Sequence, residues 1–342
     1  MRAFITGLAG TTLSDAERAF LRDAQPWGLI VFKRNVADPR TLARLIGDCR
    51  GVLGWAAPVL VDQEGGRVQR LGPPHWPSYP PAAAYGRLYD RDAALGAAAA
   101  RLGARLIAAD LTAVGIDVDC MPIADLPAPG ANAVIGDRAF GNDPAKIATL
   151  AGAFAAGLSD GGVLSVVKHI PGHGRATTDS HLKLPVVTAE QATLEANDFA
   201  AFRPLVDLPL AMTAHVVFTA IDPVAPATTS PVIVRDVIRA SIGFQGLLMS
   251  DDVSMGALRG PIGERTRAAL AAGCDVVLHC NGNMDEMLEV AAAAPPLGGE
   301  AARRASAALA RRQPAAAIDV AAKRAEFFAL ISDIWAPARG LA

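Results

Sequence analysis

Lys168, His169, His173, Asp179 and His181 lie in one short stretch, Lys168-His-Ile-Pro-Gly-His-Gly-Arg-Ala-Thr-Thr-Asp-Ser-His181. Three of the six histidines fall between residues 169 and 181. A carboxylate two residues before an imidazole can orient the ring and stabilise its protonated form. Asp179 and His181 are therefore candidates for a general acid/base pair. The plainer reading of the pair is a hydrogen bond that staples a loop. His169, His173 and His181 could alternatively serve a metal-dependent hydrolase, but their spacings of four and eight match no common metal pattern. A second candidate is Asp251, the first carboxylate after an apolar run, where a buried acid facing basic groups suits chemistry. Asp252 beside it reads as a helix cap.

Such residues need a frame. Short apolar runs recur along the chain, each followed by a helix-like segment. The runs are Ala3–Thr6, Gly28–Phe32, Val59–Val61, Ile116–Met121, Val163–Val167, Leu210–Ala214, Leu247–Met249 and Asp275–Cys280. Helices are expected from Ser14, from Asp38-Pro39, over about 91–114, 143–159, 230–241 and 264–272, and then near 283–293, 299–312 and 320–334. Eight alternations predict an α/β fold of the (β/α)₈ barrel type. A doubly wound sheet with one extra unit gives a similar count. The Pro/Gly-rich stretches follow strands, where barrel loops grow, so one domain is expected over 1–342, its core at about 1–295 and extra helices over 296–342.

In a barrel, all strand ends face one side. Asp62, Arg70, Asp125, Arg138, Lys168, His169, His215 and Asp251 would then converge on one pocket. The polar run Asp62-Gln-Glu-Gly-Gly-Arg-Val-Gln-Arg70 suggests a role there for Arg67 too. His75 reads as a loop residue, His279 as a satisfied core histidine, and His173 as a brace for its turn.

Composition narrows the function. The chain has 342 residues, 51% of them hydrophobic, enough for a large core. Its 32 basic and 34 acidic residues leave a net charge of −2, so it carries no electrostatic footprint for nucleic acid or an anionic membrane. No phosphate loop or nucleotide fingerprint is present. Cys49, Cys120, Cys274 and Cys280 form no C-x-x-C pair and read as buried thiols. No secretory leader or membrane span is apparent. A cytoplasmic protein acting as a monomer is expected.

Four motifs carry a resemblance: Asp62 to Arg70, Val134-Ile-Gly-Asp-Arg138, Lys168-His-Ile-Pro-Gly-His-Gly174 with Asp179-Ser-His181, and Met249-Ser-Asp-Asp-Val-Ser-Met255. Together they resemble glycoside hydrolase family 3, over about residues 13–280, and most of all its bacterial β-N-acetylglucosaminidases of peptidoglycan recycling. The resemblance implies a retaining exo-β-N-acetylglucosaminidase without metal or organic cofactor. Its substrates would be cell-wall fragments such as GlcNAc-β-1,4-anhydroMurNAc, with or without peptide. It further implies Asp251 as nucleophile, His181 with Asp179 as acid/base, and Asp62, Arg70, Arg138, Lys168 and His169 as holders of the sugar. Ile170 stands where an aromatic residue is more usual. A related β-glycosidase or a phosphorylase is the alternative.

Overall fold

The computed structural model of the protein describes residues 1–336. Eight parallel strands close into a barrel in sequence order, with β8 pairing back onto β1. They are β1 (Arg2–Gly7), β2 (Pro26–Val31), β3 (Val59–Val61), β4 (Val118–Asp119), β5 (Leu164–Ile170), β6 (Leu210–Thr213), β7 (Leu247–Asp252) and β8 (Val276–His279). This is the expected (β/α)₈ fold, and each strand overlaps its predicted run.

Side chains alternate along each strand. Ile5, Leu60, Val118, Val166, Met212, Met249 and Leu278 point inward and fill the barrel. Phe4, Val59, Val61, Val167, Ala211, Leu248 and Val277 point outward to the helices. Ala305 and Ala308 of a C-terminal helix join the inner cluster, apart from the site.

Helix boundaries follow local chemistry. α1 (Asp15–Ala24) opens with a Ser14/Glu17 capping box, and α2 (Pro39–Leu53) with Asp38 as cap and Pro39 in the first turn. α3 (Ala82–Arg91), which the pattern missed, precedes α4 (Ala93–Thr112), the long helix expected over 91–114. The break comes at Asp92, whose carboxylate accepts the Leu95 N–H and so caps α4. α5 (Pro144–Asp160) follows β4. Two short helices that the pattern missed, α6 (Gln191–Ala196) and α7 (Asp198–Phe202), follow β5. Ile233–Ile242 winds as a π-helix. α8 (Ile262–Ala272), α9 (Met284–Ala293), α10 (Gly299–Leu309) and α11 (Val320–Ile331) complete the described residues.

α11 reaches the loop that follows β3. Its Phe327 is fully buried between Tyr79 and Tyr85, with ring centroids 6.2 and 6.3 Å away. Asp110 of α4 joins the two: it accepts from Tyr79 Oη at 2.6 Å and from Arg324 at 2.7 Å. The expected 1–342 span ends in residues 337–342, which lie outside the described residues.

Candidate active site

A cavity of about 330 Å³ stands at the C-terminal ends of the strands. Ile30, Met212 and Leu278, inward-facing strand residues, floor it. Asp62, Arg70, Arg138, Lys168, His169, Asp179, His181 and Asp251 all line it. Every residue expected to do chemistry or hold substrate therefore meets the same space, whereas Asp125 and His215, also expected at the pocket, lie behind its lining.

One wall is an ionic network. Lys168 is almost fully buried and donates to Asp62 at 2.9 Å and Glu64 at 2.6 Å. Arg70 donates to the other Asp62 oxygen at 2.9 Å. Arg138 holds both Glu64 oxygens, at 2.8 and 2.9 Å. Burial pushes the Asp62 carboxyl up, but Lys168 and Arg70 outweigh it and hold it well below the usual carboxylate range. Glu64 is lowered likewise, burial being outweighed by Lys168 and Arg138. Lys168 is raised: burial opposes its charge, and Asp62 and Glu64 prevail.

A hairpin of Gln63–Gly65 and Val68–Gln69 brings Arg70 back beside Asp62. Gln63 ties its base, accepting the Arg70 and Leu71 amides at 3.0 Å each. Gly65 has φ of 85°, and a Cβ there would meet Pro80 O at 2.3 Å. Only glycine fits both the left-handed backbone and the close approach. Arg67 reaches across to Asp137 and to the carbonyls of Ala133 and Val134, pinning the segment that carries Arg138.

Asp125, fully buried beyond β4, organises the next wall. Its Oδ1 accepts the His169 and His173 amides at 3.2 and 2.6 Å, and its Oδ2 lies 2.7 Å from His169 Nδ1. A carboxylate only accepts, so Nδ1 carries the hydrogen and Nε2 is left for the cavity. Burial raises Asp125, but the His169 contacts outweigh it and the carboxyl is lowered. His173 is the brace expected of it, its Nε2 lying 2.9 Å from Ser180 Oγ. Burial, with His169 adding to it, lowers His173 to about 4.

Asp179 and His181 form a hydrogen-bonded pair through Nδ1, at 2.7 Å. The His181 side chain is 63% exposed, at the cavity rim. Asp179 is lowered, burial being outweighed by its bonds to His181. The loop is docked from below: the Ala257 and Gly256 amides donate to Ser180 O and His181 O at 3.1 and 3.2 Å.

Asp251 projects from the C-terminal end of β7 and accepts the Asp252 amide at 2.8 Å. Burial raises its carboxyl, but His215 first, then His169, outweigh it, and the net direction is downward. Asp252 does not cap a helix as expected, because α8 begins ten residues on. It caps the turn instead, accepting from Ser254 N and Oγ at 3.0 and 2.7 Å and from Cys280 N at 3.1 Å.

Sequence reasoning missed Glu64 as part of the site, and placed Asp125 at the pocket without the role of holding His169 and His173. Asp125 was visible as a polar strand-end residue, but its partners lie 44 and 48 residues away. Glu64 sat inside a recognised polar motif with no sign that it would face Lys168. The four cysteines are buried and free, as expected. Among the described residues no three His, Cys, Asp or Glu side chains are grouped to hold a metal. His169, His173 and His181 instead bond to Asp125, Ser180 and Asp179.

Residues 5–311 match the Glycosyl hydrolase family 3 N terminal domain. The chain is 41% identical over 279 residues to a beta-hexosaminidase of Alkalilimnicola ehrlichii, covering 80% of this chain and 79% of that protein. It is similar to NagZ from Neisseria gonorrhoeae, solved in complex with N-trifluoroacetyl-D-glucosamine. There the TM-score is 0.83 at 33% identity, over 97% of this chain and 96% of that one. A β-N-acetylhexosaminidase from Beutenbergia cavernae matches with a TM-score of 0.75 at 27% identity, over 97% and 94%. The match runs past the span that the motifs alone marked, and the chain belongs to glycosyl hydrolase family 3 as a glycoside hydrolase of the β-hexosaminidase class.

Proposed function

We propose that the protein is a retaining exo-β-N-acetylglucosaminidase acting on GlcNAc-β-1,4-anhydroMurNAc and its peptide-bearing forms, as a monomer in the cytoplasm. One observation carries the reading: the Asp179–His181 pair and Asp251 line the same cavity. A carboxylate and a proton-transfer group on one pocket are what retaining hydrolysis needs. Here an imidazole stands in for the second carboxylate. The N-acetylglucosamine analogue bound by the Neisseria relative supports the choice of sugar.

Asp251, held ionised, attacks the anomeric carbon and forms a glycosyl-enzyme ester. Asp179 fixes a hydrogen on Nδ1 and so turns Nε2 to the substrate, where the protonated His181 ring gives its Nε2–H to the departing glycosidic oxygen. The neutral ring then takes a proton from the water that attacks the ester, and Asp251 leaves as carboxylate. Asp62, Arg70, Lys168, Arg138 and His169 hold the ring hydroxyls. Their mutual ion pairs keep these donors and acceptors in place before substrate arrives.

Asp251→Ala is the test. It should abolish release of a chromogenic aryl N-acetylglucosaminide, and full activity would sink the nucleophile assignment. His181→Ala should slow a poor leaving group far more than a good one; equal losses would remove the acid role. Comparing water with added phosphate as acceptor separates a hydrolase from a phosphorylase.

A further inference from the structure

His215 lies just beyond β6, fully buried and outside the cavity lining, against the end of β7. Its Nε2 is 3.0 Å from the carbonyl oxygen of Asp252. A carbonyl only accepts, so Nε2 carries a hydrogen. Its Nδ1 is 2.7 Å from Thr228 Oγ1. That hydroxyl also lies 3.1 Å from Ala214 O and 2.8 Å from Thr213 Oγ1. A hydroxyl has one hydrogen and two lone pairs. With the Thr228 hydrogen on Ala214 O, its lone pairs accept from Thr213 and from His215 Nδ1. In this arrangement the ring carries two hydrogens and a positive charge; turning the Thr228 hydrogen to Nδ1 would instead take it from the buried Ala214 carbonyl.

A buried cation needs an anion, and the carboxylate its charge acts on is Asp251, the residue before the one whose carbonyl His215 bonds. Facing Asp251 are Lys168 and His169 of β5, His173 of the following loop, His215, and Cys280 after β8. His215 alone among these basic groups also bonds to the β7 backbone, through the residue next to Asp251.

We propose that His215, kept doubly protonated by Thr228 and the Asp252 carbonyl, is the positioning residue and counter-charge of the Asp251 carboxylate. This rests on the reading of Asp251 as nucleophile. The hydrogen bond fixes the strand end from which Asp251 projects, and the charge keeps the carboxylate ionised. In the second half-reaction the same charge favours Asp251 as leaving group, which hastens hydrolysis of the ester.

His215→Gln separates the two parts, since its amide can still donate to Asp252 O but carries no charge. The acid limb of kcat/KM for an activated aryl glycoside should rise by roughly one pH unit or more. The glycosyl-enzyme should also persist at least about tenfold longer. Thr228→Val, which removes the Nδ1 acceptor, should move the limb the same way. In wild type, ¹⁵N-histidine NMR should show an imidazolium pattern for His215 that becomes a neutral tautomer in Asp251→Asn. An unmoved acid limb in His215→Gln, or a neutral His215 in the active wild-type enzyme, overturns the inference. Trapping with a 5-fluoro glycosyl fluoride of N-acetylglucosamine and mapping the labelled peptide tests the underlying reading separately. A label away from Asp251 removes that reading, whereas a label on Asp251 with an unmoved limb removes only the role of His215. That NMR measurement needs no variant of His215 to fold.

Discussion

Asp179 binds His181 twice through one oxygen: Oδ1 accepts the His181 amide at 2.9 Å and its ring Nδ1–H at 2.7 Å. The double contact closes a small ring that fixes both backbone and imidazole. Asp179→Asn keeps the shape but can present its N–H₂ to the ring and favour the wrong tautomer. Its kcat should fall about 10²- to 10⁴-fold for a substrate with a poor leaving group. For an activated aryl glycoside the loss should be much smaller. Steady-state kinetics on the two substrates give the ratio.

Lys168→Met should destabilise the fold and weaken binding together. It would leave Asp62 and Glu64 with one cation fewer between them, in a nearly dry setting. Removing one partner from a buried pair costs about 3–5 kcal/mol. Urea unfolding measures the loss, and KM for the aryl glycoside should rise as Asp62 turns away.

Gly65→Ala should act at a distance from the chemistry. The left-handed backbone and the contact with Pro80 O both oppose a side chain. The cost should exceed about 1 kcal/mol, and the hairpin that returns Arg70 to Asp62 should shift. KM should respond more than kcat, as steady-state kinetics would show.

The fold should be acid-sensitive. His173 sits at about 4 in the folded chain, below its ordinary 6.5, so the unfolded chain binds its proton first. Stability is then fully present above pH 6.5 and falls as pH drops towards 4. The full effect is on the order of 3 kcal/mol. Asp62, Asp125 and Asp251 are also lowered and extend the loss to lower pH. Urea midpoints against pH should fall through this window, and less steeply in His173→Gln, which keeps a group able to bond Ser180.

Strand ends were legible because their signal is local. An apolar run that stops at Asp62, Lys168 or Asp251 announces both a strand and its exposed tip. The family motifs then named the roles. What stayed hidden depends on contacts between distant elements. Nothing near Asp125 shows that it will gather His169 and His173, and nothing near Thr228 points to His215. α3 stayed hidden because its segment, Ala82–Arg91, follows directly on the Pro/Gly-rich run that ends at Pro81.

The barrel filling beneath the cavity has a kinetic consequence. Ile30, Met212 and Leu278 block passage through the barrel, and Ala305 and Ala308 back that inner cluster. Both products must therefore use the entrance by which the substrate came. In the proposed mechanism the aglycone departs before water attacks the ester, and the freed monosaccharide leaves last. Added N-acetylglucosamine should then compete with substrate for the empty enzyme, while the aglycone fragment should give a noncompetitive pattern.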